Sequence, residues 1–225
     1  MLKIGHRGAM GYAPENTLKS FGLALQMGAP MIEIDVTRCA TGEAVVIHDD
    51  RVDRTTNAEG YVSDFSLADL KKLDAGEGEE VPTLKETLDF LQGKCTLNIE
   101  IKSKSVVAEV VDVLKIVIED GSWKEDDLII SSFDHHALKK FQSLMPDVRI
   151  AVLVGIIPLN YADIVGDLNA YALNPCLDFL NEEFVAHAKA KGLKIFVWTV
   201  NHPADIARMQ SLGVDGIFTN YPDRL

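Results

Sequence analysis

The chain alternates short apolar runs with amphipathic segments from end to end, and this pattern restricts its fold more than any other feature. Most intervals between the runs carry apolar residues at helical spacing, as at Leu84, Leu88 and Leu91. Strands that alternate with helices predict right-handed βαβ units and a parallel sheet. Nine runs have the length and composition of strands: Leu2–His6, Met31–Thr37, Val45–His48, Thr96–Lys102, Leu128–Ser132, Arg149–Val154, Ala170–Asn174, Lys194–Val200 and Gly216–Thr219. Helical patterns cover Thr17–Met27, Leu84–Leu91, Val106–Glu119, His135–Met145, Glu182–Ala190 and Ala204–Ser211.

The second and third runs are separated only by Arg38–Ala44, which contains the turn sequence Thr41-Gly42. Parallel neighbours need a connection of about a dozen residues, so the third run is predicted to return antiparallel to the second. Eight parallel strands then remain, the number that closes a TIM-type (β/α)8 barrel. We therefore predict this α/β fold as a single domain over residues 1–225. The alternative, an open doubly wound sheet, would carry a GxGxxG loop where Gly5-His6-Arg7-Gly8 stands.

One segment, Asp49–Pro82, interrupts the alternation. It is polar, ends in the acidic stretch Gly76–Glu80, and is longer than an ordinary barrel loop. We predict a small inserted subdomain at about 49–82, after the second strand and its hairpin return, with a short helix at Leu67–Leu73. An insertion that follows a barrel strand lies on the catalytic face.

The composition of the chain restricts the kinds of molecule that it is expected to bind. The formal net charge of −12 disfavours a nucleic acid, and a phosphate site on such a chain must gain its attraction from a metal ion or a few placed cations. No apolar run reaches the roughly 18 residues of a membrane span, so no stable membrane association is predicted. The cysteines Cys39, Cys95 and Cys176 are widely spaced and form no CxxC motif, which favours a cytoplasmic protein over a disulfide-bonded or zinc-ribbon protein.

Glu33 and Asp35 stand two residues apart in the second strand, so both carboxylates face one side while apolar residues face the other. The apolar face of a barrel strand packs against helices, and the acids are therefore predicted to point into the barrel. Two buried acids repel each other unless a cation joins them. A solvated polar strand face is the alternative interpretation.

The fourth strand repeats this geometry, with Asn98, Glu100 and Lys102 on one face. A simple Glu100–Lys102 ion pair would explain that strand alone. Acids projecting inward from two strands instead predict a site for a hard cation, Mg²⁺ or Ca²⁺, with Glu33, Asp35 and Glu100 as ligands.

Two histidines lie at strand ends, His6 after the first strand and His48 after the hairpin return. A hairpin centred near Thr41-Gly42 places residue 48 roughly opposite Asp35, and hence beside the acids. Imidazole titrates near neutral pH, so the two histidines are candidates for acid and base. The remaining four histidines are interpreted as surface residues.

Arg7 and Lys102 are candidates for binding a phosphate group, with a surface salt bridge as the alternative for Arg7. Trp198 and Phe133, close to strand ends, could form an apolar wall for the carbon skeleton of a substrate, or could simply be core residues. Glu15 and Asn16 are interpreted as the start of the first helix, with Asn16 as its N-cap.

These residues stand in motifs that resemble, in order, those of the glycerophosphodiester phosphodiesterase family. Two departures are visible: Cys39-Ala40-Thr41-Gly42 replaces a turn that usually contains Asp-Gly, and Thr219-Asn220 replaces a frequent Thr-Asp, which weakens any role assigned there. The motifs are Gly5-His6-Arg7-Gly8, Pro14–Thr17, Glu33–Val36, Val45–Asp49, Asp53–Asn57, Val81–Leu84, Asn98–Lys102, Ser131–Phe133, Val197–Asn201 and Asp215–Ile217.

The resemblance implies a TIM-type barrel with a small insertion that hydrolyses glycerophosphodiesters, small-molecule substrates, to sn-glycerol 3-phosphate and an alcohol. It implies Glu33, Asp35 and Glu100 as ligands of a divalent cation, His6 and His48 as the acid–base pair, and Arg7 and Lys102 at the phosphate. The choice of Mg²⁺ or Ca²⁺, the preferred alcohol, direct water attack or a cyclic phosphate, and the oligomeric state stay open. So does the assignment of acid and base, although the neighbouring Asp49 favours His48 as the acid.

Two alternative functions are also considered. A lysophospholipase D or sphingomyelinase D-like enzyme would use the same acids and histidines, but would need an exposed apolar rim for acyl chains, which the polar insertion does not offer. A non-catalytic phosphate-binding barrel would be expected to lack one of the histidines or acids, whereas all five are present.

Overall fold

A computed structural model describes all 225 residues, and its strands and helices alternate as the sequence predicts. The strands are β1 (Leu2–Gly5), β2 (Met31–Arg38), β3 (Ala44–Val46), β4 (Thr96–Ile101), β5 (Leu128–Ser132), β6 (Arg149–Val154), β7 (Ala170–Pro175), β8 (Lys194–Val197) and β9 (Gly216–Thr219). The helices are α1 (Leu18–Gln26), α2 (Leu67–Leu70), α3 (Leu84–Leu91), α4 (Val107–Glu119), α5 (His135–Leu144), α6 (Glu182–Ala190) and α7 (Pro203–Leu212). A 3-10 turn, Tyr161–Val165, takes the place of a helix between β6 and β7.

The parallel strands close into a ring, because β1 pairs with β2 on one side and with β9 on the other. The order around the ring is β1, β2, β4, β5, β6, β7, β8 and β9, with every pairing parallel. This arrangement confirms the predicted TIM-type (β/α)8 barrel.

The third strand is the predicted antiparallel return, but its register differs by one residue from the prediction. Val36 pairs with Val46, and the Ile47 N–H donates to the Asp35 carbonyl at 3.0 Å. Asp35 therefore lies opposite Ile47, one residue from the predicted position, and His48 still lines the cleft beside Glu33 and Glu100 as predicted. The turn is centred on Thr41 itself, since the Cys39 N–H donates to the Glu43 carbonyl.

The alternation of side chains along β2 and β4 separates the core from the site. On β2, Ile32 and Ile34 point outward into a cluster of 47 buried residues that joins the strands to the helices. Leu97 and Ile99 do the same on β4. The polar residues between them therefore face the barrel interior, as predicted.

The segment that interrupts the barrel, residues 49–82, contains a 3-10 turn at Val62–Asp64 and the helix α2, which is shorter than the predicted Leu67–Leu73. Eight buried residues form a separate apolar cluster between this segment and the β2–β3 hairpin: Cys39, Val45, Ile47, Val52, Val62, Leu70, Ala75 and Val81. The division into one domain with an inserted subdomain stays a prediction, which this separate cluster supports.

Candidate active site

A cleft of about 120 Å³ opens where the parallel strands end at their carboxyl termini. Seven of the nine residues predicted for the site line it, and Asp35 and Lys102 contact those residues without lining the cleft. Its lining comprises His6, Arg7, Glu33, His48, Asn98, Glu100, Ser131, Phe133, Leu153, Trp198, Thr199 and Phe218.

Three carboxylates meet at the base of the cleft. Asp35 and Glu100 are register partners on β2 and β4, and Glu33 lies two residues before Asp35 on the same face. One oxygen from each of the three lies within 4.8 Å of the others, and all three side chains are largely shielded from solvent.

The three acids have unlike electrostatic surroundings. Burial, reinforced by the charges of Asp35 and Glu100, raises the pKa of Glu33 well above its usual value. Burial and the charge of Asp35 likewise raise the pKa of Glu100. Burial alone would raise the pKa of Asp35 too, but the charges of Lys102 and Arg7 outweigh it and lower that pKa. The cluster therefore holds more negative charge than its surroundings neutralise.

Two cations border the acids. Lys102 Nζ lies 2.7 Å from Glu100 Oε1 and 3.3 Å from Asp35 Oδ1. Arg7 Nη1 donates to Glu15 Oε1 at 2.7 Å, its Nε lies 3.2 Å from Asp35 Oδ2, and its backbone N–H donates to Glu33 Oε2 at 2.9 Å. Both side chains are thus engaged with the acids, and Arg7 also lines the cleft.

The hydrogen-bond partner of His6 is a neutral side chain. The His6 Nδ1 lies 2.7 Å from Asn220 Oδ1, so the ring donates to an amide oxygen and its Nε2 is the unprotonated nitrogen. Burial and the positive charge of Arg7 lower the pKa of His6 to about 4. The ring is therefore an uncharged acceptor near neutral pH.

The hydrogen-bond partner of His48 is instead a carboxylate, that of Asp49. The His48 Nδ1 lies 2.5 Å from Asp49 Oδ1. Arg54 donates to Asp49 and, on its other side, to Glu15, at 2.7 Å in each case. The hydrogen bond from Arg54 holds the pKa of Asp49 below its usual range, so a carboxylate faces the His48 ring.

Several polar atoms in this region have no hydrogen-bond partner. They include Asn98 Oδ1 and Ser131 Oγ, both on side chains that are almost fully buried and line the cleft. A buried polar atom without a partner costs about 1–3 kcal/mol. These two atoms are therefore suited to contact a polar ligand in the cleft.

Sequence analysis did not predict the residues that hold the site residues in position. The N-cap of α1 is Thr17, not Asn16. Asn16 instead adopts a left-handed backbone (φ 57°) and makes two hydrogen bonds to Asp35. Its Nδ2 donates to Asp35 Oδ2 at 2.9 Å, and its Oδ1 accepts the Asp35 N–H at 3.3 Å.

Glu15 and Asn220 also contact the predicted site residues. Glu15 links Arg7 to Arg54. Asn220, whose departure from the family pattern weakened its expected role, contacts His6 directly. The Pro-Glu-Asn-Thr motif, following a strand-end histidine, was the signal available for Glu15 and Asn16.

Comparison with known proteins fits this arrangement. Residues 6–224 match the model of the glycerophosphoryl diester phosphodiesterase family. The chain belongs to this family. It is accordingly an enzyme of the phosphoric diester hydrolase class.

Related proteins cover nearly the whole chain. A glycerophosphodiester phosphodiesterase from Caldanaerobacter subterraneus subsp. tengcongensis is 40% identical over 100% of this chain and 96% of its own length. One from Bacillus subtilis is 35% identical over 99% of this chain and 84% of its own. Among solved structures, an Oleispira antarctica phosphodiesterase in complex with the product sn-glycerol-3-phosphate is 33% identical, covers 100% of this chain and 94% of its own, and superposes with a TM-score of 0.92.

The helices of this family member are short. None of them combines the length and the apolar composition that crossing a membrane requires.

Proposed function

We propose that this chain hydrolyses glycerophosphodiesters to sn-glycerol 3-phosphate and an alcohol in the cleft at the barrel mouth. One observation carries the proposal: a buried three-carboxylate cluster lies beside two histidines whose partners differ in charge, Asn220 for His6 and Asp49 for His48. The relatives named above, and the product bound by the Oleispira antarctica enzyme, support this substrate class. The substrate of the proposed reaction is a small molecule.

The donor set fits a divalent cation of the hard type, Mg²⁺ or Ca²⁺. Glu33, Asp35 and Glu100 supply carboxylate oxygens, the ligands such ions prefer. The raised pKa values of Glu33 and Glu100 support this fit, because a divalent cation would relieve their mutual repulsion. When bound, such a cation supplies Lewis-acid stabilisation of phosphate charge and a template for the reacting groups.

His6 is proposed as the general base. Its Nδ1 is committed to Asn220, its pKa is low, and its ring lines the cleft, so its Nε2 can accept a proton from the attacking hydroxyl. The hydroxyl belongs to water or to the glycerol carbon next to the ester.

His48 is proposed as the general acid. Asp49 holds the ring through its Nδ1, and the ring lines the cleft, where it is proposed to protonate the oxygen of the departing alcohol. A placed acid or base of this kind contributes about 10²–10⁴-fold to the rate.

The remaining polar groups are proposed to orient the phosphodiester. Arg7 lies at the cleft with a guanidinium that can donate to a non-bridging phosphate oxygen. Lys102, bonded to Glu100 and Asp35, is proposed to add positive charge close to the phosphate. Asn98 Oδ1 can accept a hydrogen bond from a substrate hydroxyl, Ser131 Oγ can bond a hydroxyl or a phosphate oxygen, and Phe133 and Trp198 form the apolar wall.

The test is the release of glycerol 3-phosphate from glycerophosphocholine by the purified chain, in EDTA and after Mg²⁺ or Ca²⁺ is restored. We expect activity to disappear with the chelator and to return with one of the ions, and Glu100→Gln to be inactive with either. Reaction in ¹⁸O-labelled water, with detection of any cyclic phosphate, identifies the attacking hydroxyl. Absence of product under every metal condition would refute the proposed activity. The cytoplasmic location and the absence of stable membrane association stay predictions.

A further inference from the structure

Arg54, in the inserted segment, binds two carboxylates with one guanidinium group. Its Nη1 and Nη2 donate to the two oxygens of Glu15, each at 2.7 Å. Its Nε and Nη2 donate to the two oxygens of Asp49, at 2.7 Å and 3.1 Å. The planar group therefore holds both carboxylates in bidentate geometry and fixes where they lie relative to each other.

Each of these carboxylates holds a residue of the proposed reaction. Asp49 Oδ1, which accepts from Arg54, lies 2.5 Å from the Nδ1 of His48. Glu15 Oε1, which also accepts from Arg54, accepts from the Nη1 of Arg7 at 2.7 Å. Arg54 is thus connected to the proposed acid through one carboxylate and to the proposed phosphate ligand through the other.

The contacts on the Arg7 side are enclosed by the protein. The side chains of Arg7 and Glu15 are only 13% and 9% exposed. If Arg54 were removed, Glu15 and Asp49 would be left as neighbouring anions with no cation between them, and like charges repel. Both carboxylates would then be free to move, and the groups that they hold would move with them.

Arg54 does not itself meet the substrate. It is absent from the lining of the cleft, whereas Arg7 and His48 both belong to that lining. The four hydrogen bonds to Glu15 and Asp49 also occupy all but one of its N–H groups. Any effect of Arg54 on the reaction must therefore pass through the residues that it holds.

We propose that Arg54 is a positioning residue, which sets the place of His48 through Asp49 and the place of Arg7 through Glu15. The inference rests on the proposed function and makes the inserted segment part of the reaction machinery. Its two effects are separable. A displaced acid slows the departure of a poor leaving group, whereas a displaced phosphate ligand weakens binding of every phosphodiester.

The experiment compares Arg54→Ala with the matched control Arg51→Ala. Arg51 lies in the same segment, is exposed to a similar degree (45% against 49%), and also binds a carboxylate in bidentate geometry. That carboxylate, of Asp53, contacts no residue of the site. Both variants are assayed with the restoring cation on glycerophosphocholine and on a nitrophenyl ester of glycerol 3-phosphate.

We expect Arg54→Ala to lower kcat by about 10–100-fold on glycerophosphocholine and much less on the nitrophenyl ester, whose leaving group needs no acid. KM should rise by a similar factor for both substrates, because Arg7 is proposed to meet the phosphate that they share. Guanidinium ions, but not ammonium ions, should restore part of the lost kcat, since only guanidinium forks between two carboxylates. Arg51→Ala should keep both constants.

Two results of these assays would overturn the inference. One is an equal loss of kcat on the two substrates in Arg54→Ala, which would indicate a general disturbance of the site. The other is an Arg51→Ala variant as impaired as Arg54→Ala. If Arg54→Ala does not fold, Arg54→Lys replaces it in every measurement, because lysine keeps the positive charge without the planar fork.

A second measurement needs no turnover and so separates this inference from the proposed activity. Proton NMR of the chain with ¹⁵N-labelled histidine observes the Nδ1 protons of His48 and His6, each bonded to its own partner. In Arg54→Ala the His48 signal should shift and exchange faster with water, while the His6 signal stays as the internal reference. Such a change supports the inference even if no diester is hydrolysed. An unchanged His48 signal refutes it even if glycerophosphocholine is hydrolysed.

Discussion

Asn220 accepts a hydrogen bond from the Nδ1 of His6 at 2.7 Å, across 214 positions of sequence. Asn220 is itself fixed, because its N–H donates to Asn201 Oδ1 and its carbonyl accepts the Gly11 N–H, both at 2.9 Å. The orientation and the tautomer of His6 are therefore set by a neutral side chain at the end of the last strand.

Replacing Asn220 tests this arrangement. In Asn220→Asp, a carboxylate would stabilise the imidazolium and raise the pKa of His6 from about 4. A general base is inactive when protonated, so the acid limb of the kcat/KM profile should move to higher pH. Asn220→Ala should lower kcat by about 10–100-fold, because the tautomer is no longer fixed. Asn169→Asp, on an exposed loop before β7, serves as the control, and an acid limb that does not move in Asn220→Asp contradicts the assignment.

The two histidines should respond differently to the leaving group. A general acid matters for a poor leaving group and little for a good one, whereas a general base matters for both. We expect His48→Ala to lose about 10²–10⁴-fold in kcat on glycerophosphocholine but far less on a nitrophenyl diester. His6→Ala should lose activity on both, and circular dichroism should show both variants folded. Equal losses on both substrates for His48→Ala would count against its role as acid.

The acid cluster should make the cation-free protein less stable as pH rises. Folding raises the pKa of Glu33 and of Glu100, so the folded state holds protons that the unfolded state has released. Stability from these groups is fully present below the usual glutamate pKa of 4.5 and is lost as pH rises from there through their folded pKa values. A divalent cation should accordingly raise Tm more at neutral pH than at about pH 5.

Glu33→Gln should remove this effect. We expect it to stabilise the cation-free protein by about 1 kcal/mol at neutral pH, since a neutral amide at this position requires neither a bound proton nor a buried charge. It should also abolish most of the rise in Tm on adding the ion. Thermal unfolding of Glu33→Gln and of the exposed control Glu59→Gln checks both points. A Glu33→Gln protein that keeps the full response to the ion would exclude Glu33 as a ligand.

The inserted segment should unfold locally when its own apolar cluster is weakened. Leu70 is fully buried in that cluster, and Leu→Ala changes at such positions cost about 2–5 kcal/mol. In Leu70→Ala we expect faster amide hydrogen exchange within residues 49–82 and unchanged protection in the barrel strands. The exposed Leu144→Ala on α5 is the control. Loss of protection throughout the barrel would instead make the segment part of one cooperative unit.

Local periodicity was enough to place the acids correctly. Side chains alternate along a strand whatever the fold, so the inward position of Glu33, Asp35 and Glu100 follows from their spacing and their apolar neighbours. The hairpin register was predicted one residue out, because register depends on which residue occupies the centre of the turn, here Thr41.

Contacts created by closure of the ring could not be predicted from the sequence. His6 meets Asn220 only because β1 pairs with β9. The apolar residues Ile156 and Ile157 follow a buried strand and have the composition of core residues; only the path of the loop after β6 shows that they are exposed at the mouth. Local patterns thus predict which side chains face the barrel interior better than they predict which side chains surround the cleft mouth.

The proposed reacting groups and the exposed apolar residues at the cleft mouth lie on different elements of the barrel. The proposed acid, base and ligands stand on β2 and β4 and on the loops after β1 and β3, whereas the exposed apolar residues Phe133, Ile156 and Phe179 lie on the loops after β5, β6 and β7. Insertions, deletions and substitutions in those three loops can accumulate without displacing any reacting group. The apolar side of the cleft mouth can therefore change in sequence while the proposed reacting groups keep their positions.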